Sequence, residues 1–140
     1  MNDPHSDQVR WKQRFENLTA ALASLDEALD AAKREPDNRL YQIALIGAFT
    51  FTYELGWKTL KDYLKFGGIS LTVPRDVIKQ AFNSGLIADG QTWIDMIDDR
   101  NLMSHAYDKA AAAQAVQNIR TRYRPAIEQV YRILKSKLKG

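Results

Sequence analysis

Apolar residues along this chain recur at helical rather than alternating intervals. Trp11, Phe15, Leu18, Leu22, Leu25, Leu29 and Ala32 advance in steps of four and three, the repeat that lays one stripe of a long helix against its neighbours. The spacing predicts a first helix from about Asp7 to Arg34. The Pro36-Asp37-Asn38 turn restarts the chain, with Asp37 or Asn38 available to accept first-turn amides, and a second helix runs to Phe66, where Gly67-Gly68 stops it. Its apolar residues, Tyr41, Leu45, Ala48, Phe49, Phe51, Leu55, Leu60, Tyr63 and Leu64, occupy more than one stripe, which predicts a central helix. Pro74 suits the first position of a short third helix and Gly85 its end. Asp89 can cap a fourth helix carrying Trp93, Ile94 and Ile97. Ala112, Val116, Ile119, Tyr123, Ile127, Val130 and Leu134 mark the last helix, bent at Pro125, whose missing N–H removes a bond to residue 121.

These elements predict an all-α fold, an antiparallel four-helix up-and-down bundle with one extra short helix. Residues 8–140 are expected to form a single helical bundle domain, with residues 1–7 as a flexible N-terminal tail. A length of 140 residues with 45% hydrophobic and 26% charged residues leaves room for one core and not two. The absence of cysteine excludes disulfides, thiolate metal sites and cysteine nucleophiles, and fits a reducing compartment, so a cytoplasmic location is expected. No run of about 18 apolar residues is present and the first residues are polar and acidic, which predicts neither a membrane span nor a signal peptide. The net charge of +3 is unevenly placed: residues 1–108 hold 12 Lys+Arg and 16 Asp+Glu, residues 109–140 hold 8 and 1. The basic end is either the solvated face of a terminal helix or an attraction for a polyanion.

A bundle carries no chemistry of its own, so function must be sought in polar residues that packing does not require. The densest such stretch is Asp98 to Asp108, which includes Arg100, Asn101, Ser104, His105 and Tyr107. On a continuous helix Arg100, Ser104 and Tyr107 would share one face, with Asn101, His105 and Asp108 on the adjacent one. An imidazole exchanges protons near neutral pH, a guanidinium grips a phosphate bidentately, and a hydroxyl adds a further bond to the same oxygens. RNA supplies its own nucleophile, the 2′-OH, so such a set can cut RNA without a metal. Arg100 and His105, five residues apart, would diverge by about 140° on one helix, a divergence that a two-fold dimer corrects by bringing two copies of the motif together.

The same residues read equally as a surface Arg among acids and a His near a helix end. A second polar cluster, Glu54, Trp57, Lys58, Lys61 and Asp62, contains the i, i+4 pairs Glu54–Lys58 and Lys58–Asp62, which a helix-stabilising ladder explains. In Pro74-Arg75-Asp76, Asp76 complements the helix dipole and Arg75 is free to meet a partner. The aromatic residues read as core or dimer interface. Asp95, Asp98 and Asp99 have no convergent histidines, so no metal site is expected.

Three segments in order, Phe51 to Tyr63 around Glu54, Trp57, Lys58 and Lys61, then Pro74 to Ile78 around Arg75, then Asp99 to Asp108, resemble the nucleotidyltransferase substrate-binding proteins, relatives of the HepT toxins in the HEPN superfamily. The resemblance spans roughly residues 8–135. It implies a HEPN-like helical bundle, a homodimer, and a small, separately encoded nucleotidyltransferase of the minimal type as partner, with RNA as a possible substrate and no membrane or cofactor. The HEPN signature of an Arg, a polar residue and a His four to six positions beyond the Arg is matched by Arg100, Asn101 and His105, and the HepT-type Tyr two residues later by Tyr107.

By resemblance the chain is the toxin of a two-gene toxin–antitoxin pair, a metal-independent endoribonuclease. His105 is then the acid/base, Arg100 holds the scissile phosphate, Asn101 orients the imidazole, and Tyr107 is the position that the partner adenylylates. Glu54, Trp57, Lys58 and Lys61 mark the substrate-binding subfamily, and with Arg75 and Ser104 they are candidate partner or substrate contacts. They carry the alternative, a non-catalytic substrate-binding subunit of a nucleotidyltransferase.

Overall fold

The structure, a computed structural model, describes residues 3–99, 104 and 106–139. These form α1 (Pro4–Arg34), α2 (Arg39–Phe66), α3 (Pro74–Asn83), α4 (Gly90–Asp99), α5 (Lys109–Asn118), a π-helical turn (Ile119–Tyr123) and α6 (Arg124–Lys137). Helices α5 and α6 with the turn between them are the single bent last helix of the sequence reading, and α3 is the extra short one.

The antiparallel order follows from side chains that meet across helices. Trp11 of α1 packs edge-on against Tyr63 of α2 at 4.9 Å, and Thr52 of α2 donates to the Ala21 carbonyl at 3.2 Å, so these two helices run in opposite directions. Phe15 stacks on Tyr131 at 5.1 Å while the Arg124 guanidinium grips Asp26 at 2.9 and 3.0 Å, which sets α6 antiparallel to α1. The predicted stripe of α1 is buried at Trp11, Phe15, Leu18, Leu22, Leu25 and Ala32, with Leu29 half-buried. Burying each large side chain of this set stabilises by about 1.5–3 kcal/mol. On α2, Leu45, Phe49, Leu60 and Leu64 are core as expected, whereas Phe51 is 61% exposed.

Two glycines end helices in the left-handed region. Gly68 at φ 96° and Gly85 at φ 79° let the following N–H groups of Ile69 and Leu86 reach back to the carbonyls of Leu64 and Ala81 at 2.9 and 2.8 Å. A third glycine acts through its missing side chain. A Cβ on Gly56 would lie 3.0 Å from Cη2 of the fully buried Trp93, so this gap in α2 is what admits the α4 indole.

Two expectations need correction. The first helix begins inside the segment assigned to a flexible tail, because Pro4 occupies its first turn and the Asp3 carboxylate accepts from the His5 N–H at 3.0 Å. Asp7 is accordingly buried within α1. No single helix carries the Asp98–Asp108 stretch to its end: Ala106 and Tyr107 form a turn, and Asp108 has extended backbone (φ −87°, ψ 115°) as the cap of α5. Tyr107 therefore does not share a helical face with Ser104.

Replacing Gly56 by Val should lower unfolding stability by about 1–3 kcal/mol, the usual cost of overpacking a full core. Urea denaturation checks this, and a variant as stable as the parent would mean that Trp93 is free to move.

Candidate functional site

Helix α4 is capped at its start by Asp89 and held along its polar side by side chains of α3 and of the π-helical turn. Asp89 caps the helix, accepting from the Thr92 N–H at 3.1 Å and the Thr92 hydroxyl at 2.6 Å, and these bonds hold its carboxyl below the usual range. Asp95 pairs with Arg122, Asp98 with Arg75 at 3.2 Å, and Asp99 accepts from the Tyr123 hydroxyl. Bonding to Arg122, then to Gln91, lowers the Asp95 carboxyl. Burial first, and the Asp99 hydrogen bond second, push the Tyr123 phenol up.

Arg122 and Tyr123 reach α4 because of the π-helical turn. Pro125 has no N–H to give to residue 121, and the Arg124 N–H bonds instead to the Ile119 carbonyl, five residues back. The extra residue in that turn aims Arg122 and Tyr123 at α4.

A second anchor lies beyond the motif. Ala106 is buried, and its carbonyl accepts from the Arg39 guanidinium at 3.2 Å, tying this segment to the first turn of α2. The Asp108 carboxylate accepts from the Ala111 N–H at 3.1 Å and starts α5. Between these fixed points Tyr107 is 81% exposed, and Ser104 is also at the surface. Arg100, Asn101 and His105 lie outside the described residues; in sequence they fall between the Asp99–Tyr123 and Arg39–Ala106 contacts.

The α2 cluster is largely self-contained. Trp57 donates Nε1–H to Glu54 at 3.1 Å, Lys58 Nζ is 3.7 Å from the same carboxylate oxygen and 6.0 Å from the Trp57 ring centre, and Trp57 is mostly buried. Asp62 turns away from Lys58 into the α1–α2 seam, where Arg14 Nε lies 2.9 Å from it. Burial raises the Asp62 carboxyl, against the opposing charges of Arg14, Lys61, Arg10 and Lys65. From Arg39 to the Glu54–Lys61 stretch is roughly 22–33 Å along α2. The fold thus gathers Arg75 to the end of α4 beside the motif and leaves Glu54, Trp57, Lys58 and Lys61 far from the Ala106 anchor. Arg39, Arg122 and Tyr123, which hold the motif's flanks, were not singled out by sequence.

Residues 13–136 match the family model described as "Nucleotidyltransferase substrate binding protein like". The chain belongs to this family. A Haemophilus influenzae relative named "Probable ribonuclease HepT" is 35% identical over 72 residues, which cover 48% of this chain and 49% of that one, so the alignment spans about half of the relative's length. Among solved structures, a Thermus thermophilus protein is similar at 29% identity and a TM-score of 0.74 over 88% of this chain and 99% of its own. A second, from Haemophilus influenzae, is described as having the fold of a substrate binding domain of a nucleotidyltransferase. It shares that fold at 24% identity and a TM-score of 0.74, over 86% and 98%.

The family match runs through all the candidate residues on α2, on α3 and around Tyr107. Among the described residues no three His, Cys, Asp or Glu side chains converge as for a metal ion, and no helix is long and apolar enough to cross a membrane. The acids at the end of α4 are instead held by Arg75, Arg122 and Tyr123.

These pairings, with those of Glu128 to Arg132 and Arg124 on α6, give a pH dependence. Asp89, Asp95 and Glu128 have depressed folded pKa values, so their contribution is complete above the ordinary carboxylate range and is lost as pH falls through the lowered values. Urea midpoints should fall from about pH 5 downward, and Asp95→Asn should flatten that fall. An Asp95→Asn curve parallel to the parent's would contradict the Asp95–Arg122 contribution.

Proposed function

We propose that this protein is a HepT-like toxin of a two-gene toxin–antitoxin pair, a metal-independent endoribonuclease whose antitoxin is a separately encoded minimal nucleotidyltransferase. The observation that carries the reading is Tyr107, displayed at 81% exposure immediately after the Arg100–His105 stretch while its neighbour Ala106 is buried and bonded to Arg39. A tyrosine needed only for packing would bury its ring. The name of the Haemophilus relative supports the ribonuclease assignment, and the family match supports a nucleotidyltransferase as partner.

In this mechanism His105 takes the proton from an RNA 2′-OH, and the freed oxygen attacks the adjacent phosphorus. The bond to the 5′-oxygen breaks, that oxygen leaves with the proton that His105 returns, and a 2′,3′-cyclic phosphate remains. Arg100 stabilises the charge on the phosphorane and Asn101 orients the imidazole. The partner silences the site by transferring an adenylyl group from ATP to the Tyr107 oxygen, with release of pyrophosphate. The added phosphodiester keeps about one negative charge, which would occupy the guanidinium that RNA phosphate needs.

A second copy of the chain completes the site. Leu40, Ala44, Gly47 and Phe51 follow each other at steps of four, three and four on the outer face of α2, with Leu40 at 76% and Phe51 at 61% exposure. An apolar helix stripe of this period is a seam for an equivalent helix.

The alternative, a non-catalytic substrate-binding subunit, is favoured by the family description and by the resemblance at Glu54, Trp57, Lys58 and Lys61. The pairing of Glu54 with Trp57 and Lys58 leaves Lys61 as the freest member of that set.

Expression of the chain alone should arrest growth. Purified protein should cut RNA in EDTA, and His105→Ala or Arg100→Ala should lower the rate by about 10²–10⁴ with helicity unchanged. Harmless expression with no cleavage would leave the substrate-binding reading. Phe51→Glu should convert a dimer to a monomer in sedimentation at micromolar concentration; a parent that is already monomeric would contradict the seam. With the partner enzyme, ATP and Mg²⁺, the intact mass should rise by adenylyl units in the parent and not in Tyr107→Phe.

A further inference from the structure

At the end of the bundle remote from Tyr107, α1 and α2 bring together two like-charged pairs. Arg10 and Arg14 stand four residues apart on α1, and Lys61 and Lys65 four apart on α2; all four act electrostatically on Asp62. Like charges at this spacing each cost a helix a few tenths of a kcal/mol, and here two such pairs face one another across a helix seam. The acid between them is 5% exposed and lies against Arg14, so one carboxylate stands among four cations, of which Arg10 is exposed and Arg14, Lys61 and Lys65 are half-buried. Glu54–Lys58 and Glu128–Arg132 on the same bundle are, by contrast, ordinary compensating pairs.

Aromatic rings border the cations. Phe66, at the end of α2, is 36% exposed, and the half-buried Tyr63 ring lies 6.3 Å from it and is fixed from below by Trp11. Cations in pairs about 6 Å apart along each helix beside an open ring are what a single strand of nucleic acid uses: phosphates track the charges and unstacked bases lie on the ring. An acidic protein surface would gain from the charges and have no use for the ring. Duplex RNA would gain from the charges alone, since its bases are already stacked.

We propose that Arg10, Arg14, Lys61 and Lys65, with Phe66, form a docking surface for single-stranded RNA. The surface lies roughly 35 Å along α2 from the Arg39–Ala106 anchor. It therefore holds a distant part of the strand rather than the phosphate being cut. The choice of RNA over DNA rests on the ribonuclease reading; the single-strand surface does not.

Binding of a fluorescein-labelled oligouridylate to the 140-residue chain, followed by anisotropy over a series of NaCl concentrations, tests this. The double variant Arg10→Gln/Lys65→Gln should bind about tenfold more weakly at low salt, with a log–log salt slope shallower by about 1.4. Phe66→Ala should weaken oligouridylate roughly fivefold or more while leaving heparin, a polyanion without bases, unaffected. All binding arms are run in a His105→Ala background so that the probe stays intact, and cleavage is assayed separately with His105 present, so a failed cleavage assay and a failed docking surface give different results. Circular dichroism of each variant confirms folding, and neutral replacements were chosen so that Asp62 meets no new negative charge. The proposal is overturned by unchanged affinity and slope in the double variant, by equal loss of heparin binding in Phe66→Ala, or by poly-glutamate competing as well as oligouridylate.

Discussion

The arrangement of this molecule's polar end depends on the π-helical turn that Pro125 imposes on the last helix. A proline there withholds one N–H, the backbone takes an extra residue to recover its bonding, and Arg122 and Tyr123 come to face α4. Arg122 bonds to Thr92 and Asp95 and Tyr123 to Asp99, so α4 is held along its length up to the residue before the motif. The core makes this possible from the other side, because Gly56 gives Trp93 the space to bring α4 onto α2. Phe49 and Tyr123 stack at 5.2 Å, so the residue that holds Asp99 is itself part of the core.

Beyond the motif the constraint is different in kind. One charge-assisted bond from Arg39 to a buried carbonyl ties the chain to the start of α2, and the exposed Tyr107 follows directly. The motif is thus flanked by a packed anchor and a polar one. The self-contained Glu54–Trp57–Lys58 cluster, by contrast, is satisfied within a single helix.

Periodicity made the helices and most of the core legible from sequence, because a stripe such as Trp11 to Ala32 has no other way to be buried. The caps were legible for the same local reason: Asn38 and Asp89 accept first-turn amides as their side-chain chemistry suggests. The start of α1 was missed although Asp3-Pro4 is a cap followed by a first-turn proline. Local signals were also insufficient at the candidate site. The same helical periodicity, extended through Asp98–Asp108, put Tyr107 on a helix face, whereas Asp108 is a cap that breaks the helix there. Arg39 and Tyr123 lie 67 and 24 residues from the groups they hold, and no local pattern marks such partners. Pro125 was read as a bend, and only the fold shows which side chains that bend redirects.

The most direct measurement is the rate of RNA cleavage by Tyr123→Phe, which removes one hydroxyl from the anchor and nothing from the proposed reacting groups. The account predicts unchanged helicity, an unchanged KM, and a kcat lowered on the order of 10²-fold, as for a reactive group displaced by about an ångström. A folded Tyr123→Phe protein that cleaves RNA at the parental rate would contradict it.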